Sequence, residues 1–299
     1  MLPKGTPPST FSLTSTYMDR YSCQACLSTY PCRNRSKGSP VDTGEATQRT
    51  ERVIVGNWKM HLDHVQAAQA VEKLGRLLED EVVNAEVVVI APFTSLDAIR
   101  HVLERDGYPI AYGAQDLSPH DSGAFTGDIA GPFLTALGCS AVLIGHSERR
   151  ALHGETDEQV NAKVLAAFRN GLTPIVCVGE PLAVRQAGEH LSFAVAQLEA
   201  ALIGLSPEQL ASVIVAYEPV WAIGTGAVAG PEDAQEMCGA LRAAIGRLAG
   251  EAAAARLLYG GSVKSSNAGL ILEQPDVDGL LVGGASLDQE EFAQIIRMA

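Results

Sequence analysis

The sequence has few aromatic residues, few basic residues relative to acidic ones, and no long apolar run. Only 5% of its 299 residues are aromatic, but 46% are hydrophobic, which is enough for a single large core or two smaller ones. The 22 Lys and Arg against 35 Asp and Glu give a net charge of −13, whereas nucleic-acid binding requires a basic face. An anionic substrate would therefore need positive charge supplied locally. No apolar run approaches the roughly 20 residues of a membrane span, so neither a nucleic acid nor a membrane is expected as a partner.

The six cysteines do not form a disulfide framework in the sequence. Cys139 and Cys177 fall in apolar, strand-like runs, which predicts reduced core residues and fits a cytoplasmic enzyme. Cys23, Cys26 and Cys32 are spaced as in some metal sites, but a fourth ligand and flanking strands are missing. The sequence therefore predicts no metal site.

Residues 1–50 differ in composition from residues 51–299. They contain 15 Ser and Thr, six Lys and Arg, and only three acidic residues, without a sustained apolar period. Such a segment cannot bury a core, so we expect a disordered N-terminal extension followed by one folded domain at 51–299. An inert tail, an organellar transit peptide and a regulatory arm are all compatible with this composition.

From Arg52 onward, short apolar runs alternate with amphipathic stretches. The expected strands are Val53–Asn57, Val87–Ala91, Ile110–Ala114, Ala141–His146, Pro174–Val178, Val213–Glu218, Leu257–Gly260 and Gly279–Val282. A single long helix is expected over Leu182–Leu202. Eight strand–helix units in about 250 residues predict an α/β fold, a closed (β/α)₈ barrel. A doubly wound sheet is the alternative, but no G-x-G-x-x-G follows the first strand.

The sixth predicted strand leads into an unusual loop. Glu218 stands at the strand's end, on the face where such barrels carry their chemistry. Pro219 and Gly224 then bracket a segment too apolar for an ordinary solvent loop. A tethered apolar segment beside a carboxylate indicates a lid that excludes water. A packed loop without such a function is the alternative.

Polar side chains also follow the first and fourth strands. Asn57 and Lys59 could supply an amide donor and a positive charge for an anion, although Asn-x-Lys alone is also common in loops. His146 precedes a short helical turn, where the helix dipole disfavours its protonation and predicts a neutral donor. A core histidine bonded to backbone is the alternative. Glu148 is expected to form a structural ion pair with a basic residue such as Lys59.

The last two strands are followed by glycine pairs. Gly260-Gly261-Ser262 follows the seventh strand, and Gly283-Gly284 follows the eighth. Glycine lets backbone N–H groups approach an anion closely, and barrels commonly hold phosphate at these two loops. A single pair would indicate only a turn, whereas two pairs at these strands predict a phosphate site.

Four sequence motifs follow one another along the chain in the order found in one enzyme family. They are Gly56-Asn57-Trp58-Lys59-Met60, the segments 145–150 and 217–226, and Tyr259-Gly260-Gly261-Ser262-Val263. Residues 52–299 resemble the triosephosphate isomerase family along essentially their whole length. The resemblance implies a TIM barrel that interconverts dihydroxyacetone phosphate and D-glyceraldehyde 3-phosphate, in glycolysis and gluconeogenesis, as an isomerase of class EC 5.3.1.1. It implies neither a metal nor an organic cofactor.

The resemblance also assigns roles to residues. It makes Glu218 the proton-shuttling base, His146 the group that polarises the carbonyl, and Lys59 with Asn57 a substrate-binding and charge-stabilising pair. The implied phosphate grip consists of Gly224, Ser262, Gly283 and Gly284. Two other functions stay open: another phosphate-binding barrel enzyme, and a catalytically silent barrel that serves as a binding protein.

A long loop, residues 115–127, follows the third strand. Long loops in compact domains are usually functional, and this one resembles the family's intersubunit loop, in which Thr126 would reach a neighbouring site. The resemblance therefore implies a homodimer with an isologous interface. A flexible surface loop is the alternative. The chain departs from the family pattern at Asp116, where Asn is frequent, and at residues 227–229 after the lid.

Overall fold

The computed structural model describes residues 52–222, 229–250 and 254–299. Eight parallel strands close into a barrel in which each strand pairs with its neighbours in sequence and β8 pairs with β1. The predicted (β/α)₈ fold is therefore confirmed, and the doubly wound alternative is wrong. Residues 1–50, where we predict an extension, lie outside the described residues.

The barrel strands are short and regularly spaced. They are β1 Arg52–Asn57, β2 Ala85–Ala91, β3 Ala111–Ala114, β4 Ala141–Ile144, β5 Thr173–Val178, β6 Ile214–Tyr217, β7 Arg256–Tyr259 and β8 Gly279–Val282. The helices are α1 His64–Leu78, α2 Leu96–Asp106, α3 Gly131–Ala136, α4 Ser147–His153, α5 Asp157–Arg169, α6 Leu182–Gln186, α7 His190–Ala201, α8 Pro207–Ser212, α9 Pro231–Ala249, α10 Ser265–Leu272 and α11 Gln289–Ile296. None of these helices has the length and apolar character needed to cross a bilayer.

The core has two layers, because successive side chains of a strand point to opposite faces. Val53 and Val55 point into the barrel, where they pack with residues such as Ile90, whereas Ile54 points outward to the layer beneath the helices. Both faces are thus buried, which explains why the strands are continuously apolar rather than alternating. This rigid scaffold presents the carboxyl ends of eight strands at one face.

Several elements differ from the expectations. The long helix predicted over Leu182–Leu202 is wrong: it is two helices, α6 and α7, because Gly188 adopts a left-handed conformation (φ 73°) that ends the first helix. The fourth strand ends at Ile144 rather than His146, since Gly145 (φ 70°) turns the chain. The short helices α3 and α8 were not predicted at all.

Candidate active site

The side chains predicted to carry chemistry meet at the carboxyl ends of the strands. Asn57 ends β1, His146 precedes α4, and Glu218 directly follows β6. They line one cavity of about 400 Å³. The cavity is lined by Asn57, Lys59, His146, Glu218, Gly260, Gly261, Ser262, Val263, Lys264, Leu281, Gly283, Gly284 and Ala285. Gly224, predicted for the phosphate grip, lies outside the described residues, and the other predicted catalytic and substrate-binding residues are all here.

The backbone of Glu218 is fixed by the neighbouring strand. Its N–H donates to the carbonyl of Val178 at 2.8 Å, which continues the β5–β6 ladder by one residue. Gly179 makes this possible, because a Cβ atom there would lie 1.7 Å from the carbonyl oxygen of Glu218. The carboxylate is therefore held at the barrel rim by a close contact that only glycine permits.

The Glu218 carboxylate contacts His146 and the start of α4. Its Oε1 lies 2.9 Å from His146 Nε2, and its Oε2 accepts the Ser147 N–H at 2.9 Å. Both residues are buried, with only 2% of Glu218 and 5% of His146 exposed. A carboxylate and an imidazole are thus in direct contact at a buried position beside the cavity, where they can serve as base and hydrogen-bond donor in proton transfer.

The helix after β4 fixes the tautomer of His146. His146 is the N-cap of α4, and its Nδ1 accepts the Glu148 N–H at 3.2 Å. An accepting nitrogen carries no proton, so the ring proton lies on Nε2, the atom that faces Glu218. With the proton on Nε2, the imidazole donates toward the cavity. The helix N-terminus predicts a lowered pKa for His146, but the neighbouring carboxylates raise it.

Burial and direct contact act in opposite directions on the two groups. Burial raises the pKa of Glu218, but the contact with His146, the hydrogen bond from the Ser147 amide and the nearby Lys59 ammonium outweigh it, so the pKa is lowered. Burial lowers the pKa of His146, but the Glu218 carboxylate outweighs it and raises the pKa. The contact between the two side chains contributes to both shifts, while Ser147 and Lys59 also lower the pKa of Glu218 and Glu148 also raises the pKa of His146.

Lys59 is held in an unusual backbone conformation. Its φ is 50°, in the left-handed region that residues other than glycine rarely adopt. Its N–H donates to Asn57 Oδ1 at 3.0 Å, and its carbonyl accepts from Gln115 Nε2 at 2.6 Å. Its ammonium contacts Glu148 at 2.6 Å, so the predicted ion pair is present. Asn57 and Gln115 thus hold the backbone of Lys59, and Glu148 holds its ammonium group, beside the cavity.

The glycine loops after β7 and β8 leave backbone donors unused. The N–H groups of Ser262, Gly283 and Gly284 donate to no acceptor in the described parts of the chain. Gly261 must lack a side chain, because a Cβ atom there would lie 2.2 Å from the hydroxyl oxygen of Tyr259. Unpaired N–H groups on converging glycine loops form a ready site for a phosphate group.

A buried carboxylate that sequence reasoning missed holds the beginning of the predicted lid. Glu180 accepts hydrogen bonds from the Tyr217 hydroxyl at 3.0 Å and from Trp221 Nε1 at 2.7 Å. The Arg185 guanidinium lies 5.3 Å from the centre of the Trp221 ring and forms an ion pair with Asp233 at the start of α9. These contacts fix both sides of the lid segment. Its central residues, 223–228, lie outside the described residues.

The loop after β3 covers a second cavity. This cavity is slightly larger, about 430 Å³, but none of the predicted catalytic residues lines it. Beneath the loop, Lys163 contacts Asp116 at 2.6 Å and also pairs with Glu155, while Arg149 contacts Asp116 at 2.8 Å. Asp116, one of the departures from the family pattern, therefore belongs to a charge cluster at the base of the loop. Thr126 lies exposed near the loop's tip.

Within residues 52–222, 229–250 and 254–299, no three His, Cys, Asp or Glu side chains are grouped so that they could hold a metal ion. The described cysteines, Cys139, Cys177 and Cys238, are free and buried. The cavity is lined by carboxylate, imidazole and ammonium side chains and by the backbone of the two glycine loops.

Comparison with known proteins agrees with this geometry. The family model for triosephosphate isomerase matches residues 52–299. The chain is 54% identical to the triosephosphate isomerase of Streptomyces coelicolor, over 84% of this chain and 98% of that protein. It is 54% identical to that of Mycobacterium ulcerans (83% and 96%) and 54% identical to that of Corynebacterium efficiens (81% and 94%). The chain therefore belongs to the triosephosphate isomerase family.

Proposed function

We infer that this protein is an isomerase that interconverts dihydroxyacetone phosphate and D-glyceraldehyde 3-phosphate, the reaction of its family in glycolysis and gluconeogenesis (EC 5.3.1.1). The observation that supports the assignment most strongly is the buried contact between Glu218 and the neutral His146, in one cavity with unused backbone donors. A base, an electrophile and an anion site within one cavity suit the isomerisation of a small phosphorylated ketone or aldehyde.

Substrate binding would begin at the phosphate. The N–H groups of Ser262, Gly283 and Gly284 donate hydrogen bonds to its oxygens, and the Lys59 ammonium supplies the charge that the acidic protein lacks overall. Asn57 holds the backbone of Lys59 and faces the same cavity. With the phosphate there, the carbon chain extends toward His146 and Glu218.

The chemistry is a pair of proton transfers. Glu218 removes a proton from the carbon next to the carbonyl. The electron pair of that C–H bond forms a carbon–carbon double bond, and the π pair of the carbonyl moves to its oxygen, which gives an enediolate. The Nε2–H of His146 and the Lys59 ammonium stabilise the charge that develops on the oxygen. Glu218 then returns the proton to the neighbouring carbon, and a proton moves between the two oxygens. No atom is gained or lost, as an isomerisation requires.

Glu218 should become a stronger base when substrate binds, because it then loses contacts that stabilise its charged form. To reach the substrate carbon, the carboxylate must leave both Ser147 and His146, two of the groups that lower its pKa. The opposing effect of burial, which raises the pKa of Glu218, then gains weight, and Lys59 is the remaining group that lowers it. The same movement takes the Glu218 carboxylate, which raises the pKa of His146, away from the imidazole and so favours its neutral form.

A closing lid would complete the site. We propose that the segment from Val220 through residues 223–228 covers Glu218, excludes water and retains the enediolate. Support comes from its apolar sequence and from the anchoring of Trp221 by Glu180.

We also propose a homodimer. Exposed apolar side chains lie on the loops and helices around the loop after β3: Met60 is 93% exposed, Phe125 42% and Phe133 57%. Such a group favours burial against a second copy, with Thr126 reaching the neighbouring site. Analytical ultracentrifugation should give the mass of two chains at micromolar concentration, and a monomer there would refute the dimer.

Catalysis is further proposed to need only residues 51–299, because the family match begins at Arg52.

The free, buried thiols of the described chain support a reducing compartment, and we propose the cytoplasm.

A coupled assay tests the main proposal. Purified protein should convert each triose phosphate into the other without added metal or cofactor, as followed by a dehydrogenase specific for one isomer. Absence of conversion in both directions would overturn the assignment. Binding of inorganic phosphate without conversion would favour a silent binding barrel, and turnover of a different phosphorylated substrate would favour another barrel enzyme.

A further inference from the structure

We propose that Lys264 provides the positive charge that admits the substrate's phosphate to the cavity, and that it sets KM rather than kcat. This inference rests on the proposed function. Lys264 follows Val263 in the loop after β7 and lines the cavity with Lys59, His146 and Glu218. Its side chain is exposed at the start of α10.

Lys264 determines the net charge of the ionisable groups around the cavity. The ammonium of Lys59 is paired with Glu148 at 2.6 Å, so its charge is offset there. Glu218 adds a second carboxylate, while His146 is neutral. Without Lys264 these groups carry an excess of one negative charge, and with it they are balanced. A phosphate monoester carries a charge of about −1.5 to −2 at pH 7. The cavity groups without Lys264 would therefore repel the phosphate, whereas with Lys264 their net charge is zero and this repulsion is removed.

The ammonium of Lys264 is also available to a ligand. Within the described ranges it takes part in no ion pair, unlike Lys59, Lys73 and Lys163. The backbone of Lys264 is fixed independently, because its N–H donates to Asn267 Oδ1 at 2.8 Å and Asn267 Nδ2 donates to the carbonyl of Ser262 at 2.9 Å. The side chain can therefore be changed without disturbing the loop that carries the phosphate donors.

A charge at the rim should affect association more than chemistry. It attracts the phosphate equally in the substrate and in the transition state, so its loss raises KM and leaves kcat nearly constant. One unit charge several ångströms from a dianion in water changes affinity by about three- to tenfold. The effect should fade with salt, because the screening length falls from about 30 Å at 0.01 M to about 8 Å at 0.15 M.

The experiment compares Lys264→Gln, Lys264→Glu and Lys264→Arg with the wild type at about 0.01 and 0.3 M ionic strength. In the low-salt buffer, Lys264→Gln should raise KM about three- to tenfold with kcat within about twofold, Lys264→Glu should raise it further, and Lys264→Arg should resemble the wild type. The differences should shrink at high salt. Lys73→Gln is the matched control: it makes the same change in net charge at an exposed ion pair with Glu290 on α11, and should leave KM unchanged.

A binding measurement separates this inference from the proposed function. The dissociation constant of inorganic phosphate, measured by calorimetry at low salt, should follow the same order among the variants. Equal phosphate affinity in the wild type and Lys264→Glu would overturn the role of Lys264, whatever the activity. A salt-independent fall in kcat would overturn it too, since that would mark a structural role. Wild-type protein without isomerase activity would instead overturn the proposed function.

Discussion

Replacing Lys59 by glycine should abolish most activity at no cost in stability. Lys59 adopts φ 50°, and a side chain in the left-handed region costs about 1–2 kcal/mol. Glycine removes this strain but loses about 0.5–1 kcal/mol through the greater freedom of the unfolded chain. The ion pair with Glu148 is partly exposed and contributes at most about 0.5 kcal/mol. The net change in the free energy of unfolding should therefore lie within about 1 kcal/mol of zero.

The same substitution removes the ammonium group from the cavity. Loss of one preorganised donor to a developing oxyanion typically lowers the rate by about 10²–10³-fold, and we expect kcat/KM to fall by at least this factor. Activity and stability should thus separate at one residue, because the strained conformation serves the site and not the fold.

The measurements are isomerase kinetics and thermal unfolding of Lys59→Gly beside the wild type. Gly107→Ala calibrates the strain in this protein: Gly107 has φ 72°, lies far along the chain at the end of α2, and an added Cβ would meet nothing within 4 Å. Its change to alanine should cost about 1 kcal/mol, a fall in Tm of about 2–4 °C. A Lys59→Gly variant that loses several degrees, or that keeps near-normal kcat/KM, would refute the reasoning.

Two further predictions concern buried groups. Glu180→Gln removes the charge that accepts from Tyr217 and Trp221 and should lower stability by about 1–3 kcal/mol; an unchanged Tm would contradict it. Burial raises the pKa of Cys139 and Cys238 to about 12, so both stay neutral thiols at pH 8, and stability from the neutral form declines only as pH rises above the usual thiol range toward 12. With Cys23, Cys26 and Cys32 changed to Ser, the folded protein should not react with a thiol reagent until denaturant is added, and rapid reaction would count against this burial.

The fold could be predicted because its signals are local. The continuous apolar strands follow from burial on both faces, and the regular spacing of strand and helix follows from the parallel topology. The error over Leu182–Leu202 has a local cause as well: Gly188 ends a helix only by adopting a left-handed conformation, which composition does not disclose. The helical period on either side of Gly188 predicts one continuous helix.

Most of the candidate site could also be predicted from the sequence, because the carboxyl ends of barrel strands converge whatever their separation along the chain. What the sequence did not contain are contacts between the ends of different strands. Glu180 lies 41 residues from Trp221, and nothing in either segment indicates their hydrogen bond. Burial alone would raise the pKa of Glu218, but His146 and Ser147 reverse the direction, and only the geometry of the site discloses these contacts.

The proposed isomerase reaction depends on the transfer of the substrate's carbon-bound proton by Glu218. The most direct measurement is the exchange of that hydrogen with solvent in D₂O, followed by NMR for the wild type and Glu218→Gln. The wild type should place deuterium on the carbon as it interconverts the isomers. Glu218→Gln, with an amide of the same shape, should lose exchange and isomerisation together by about 10²–10⁴-fold or more. Exchange near the wild-type rate in a folded Glu218→Gln variant would contradict the account.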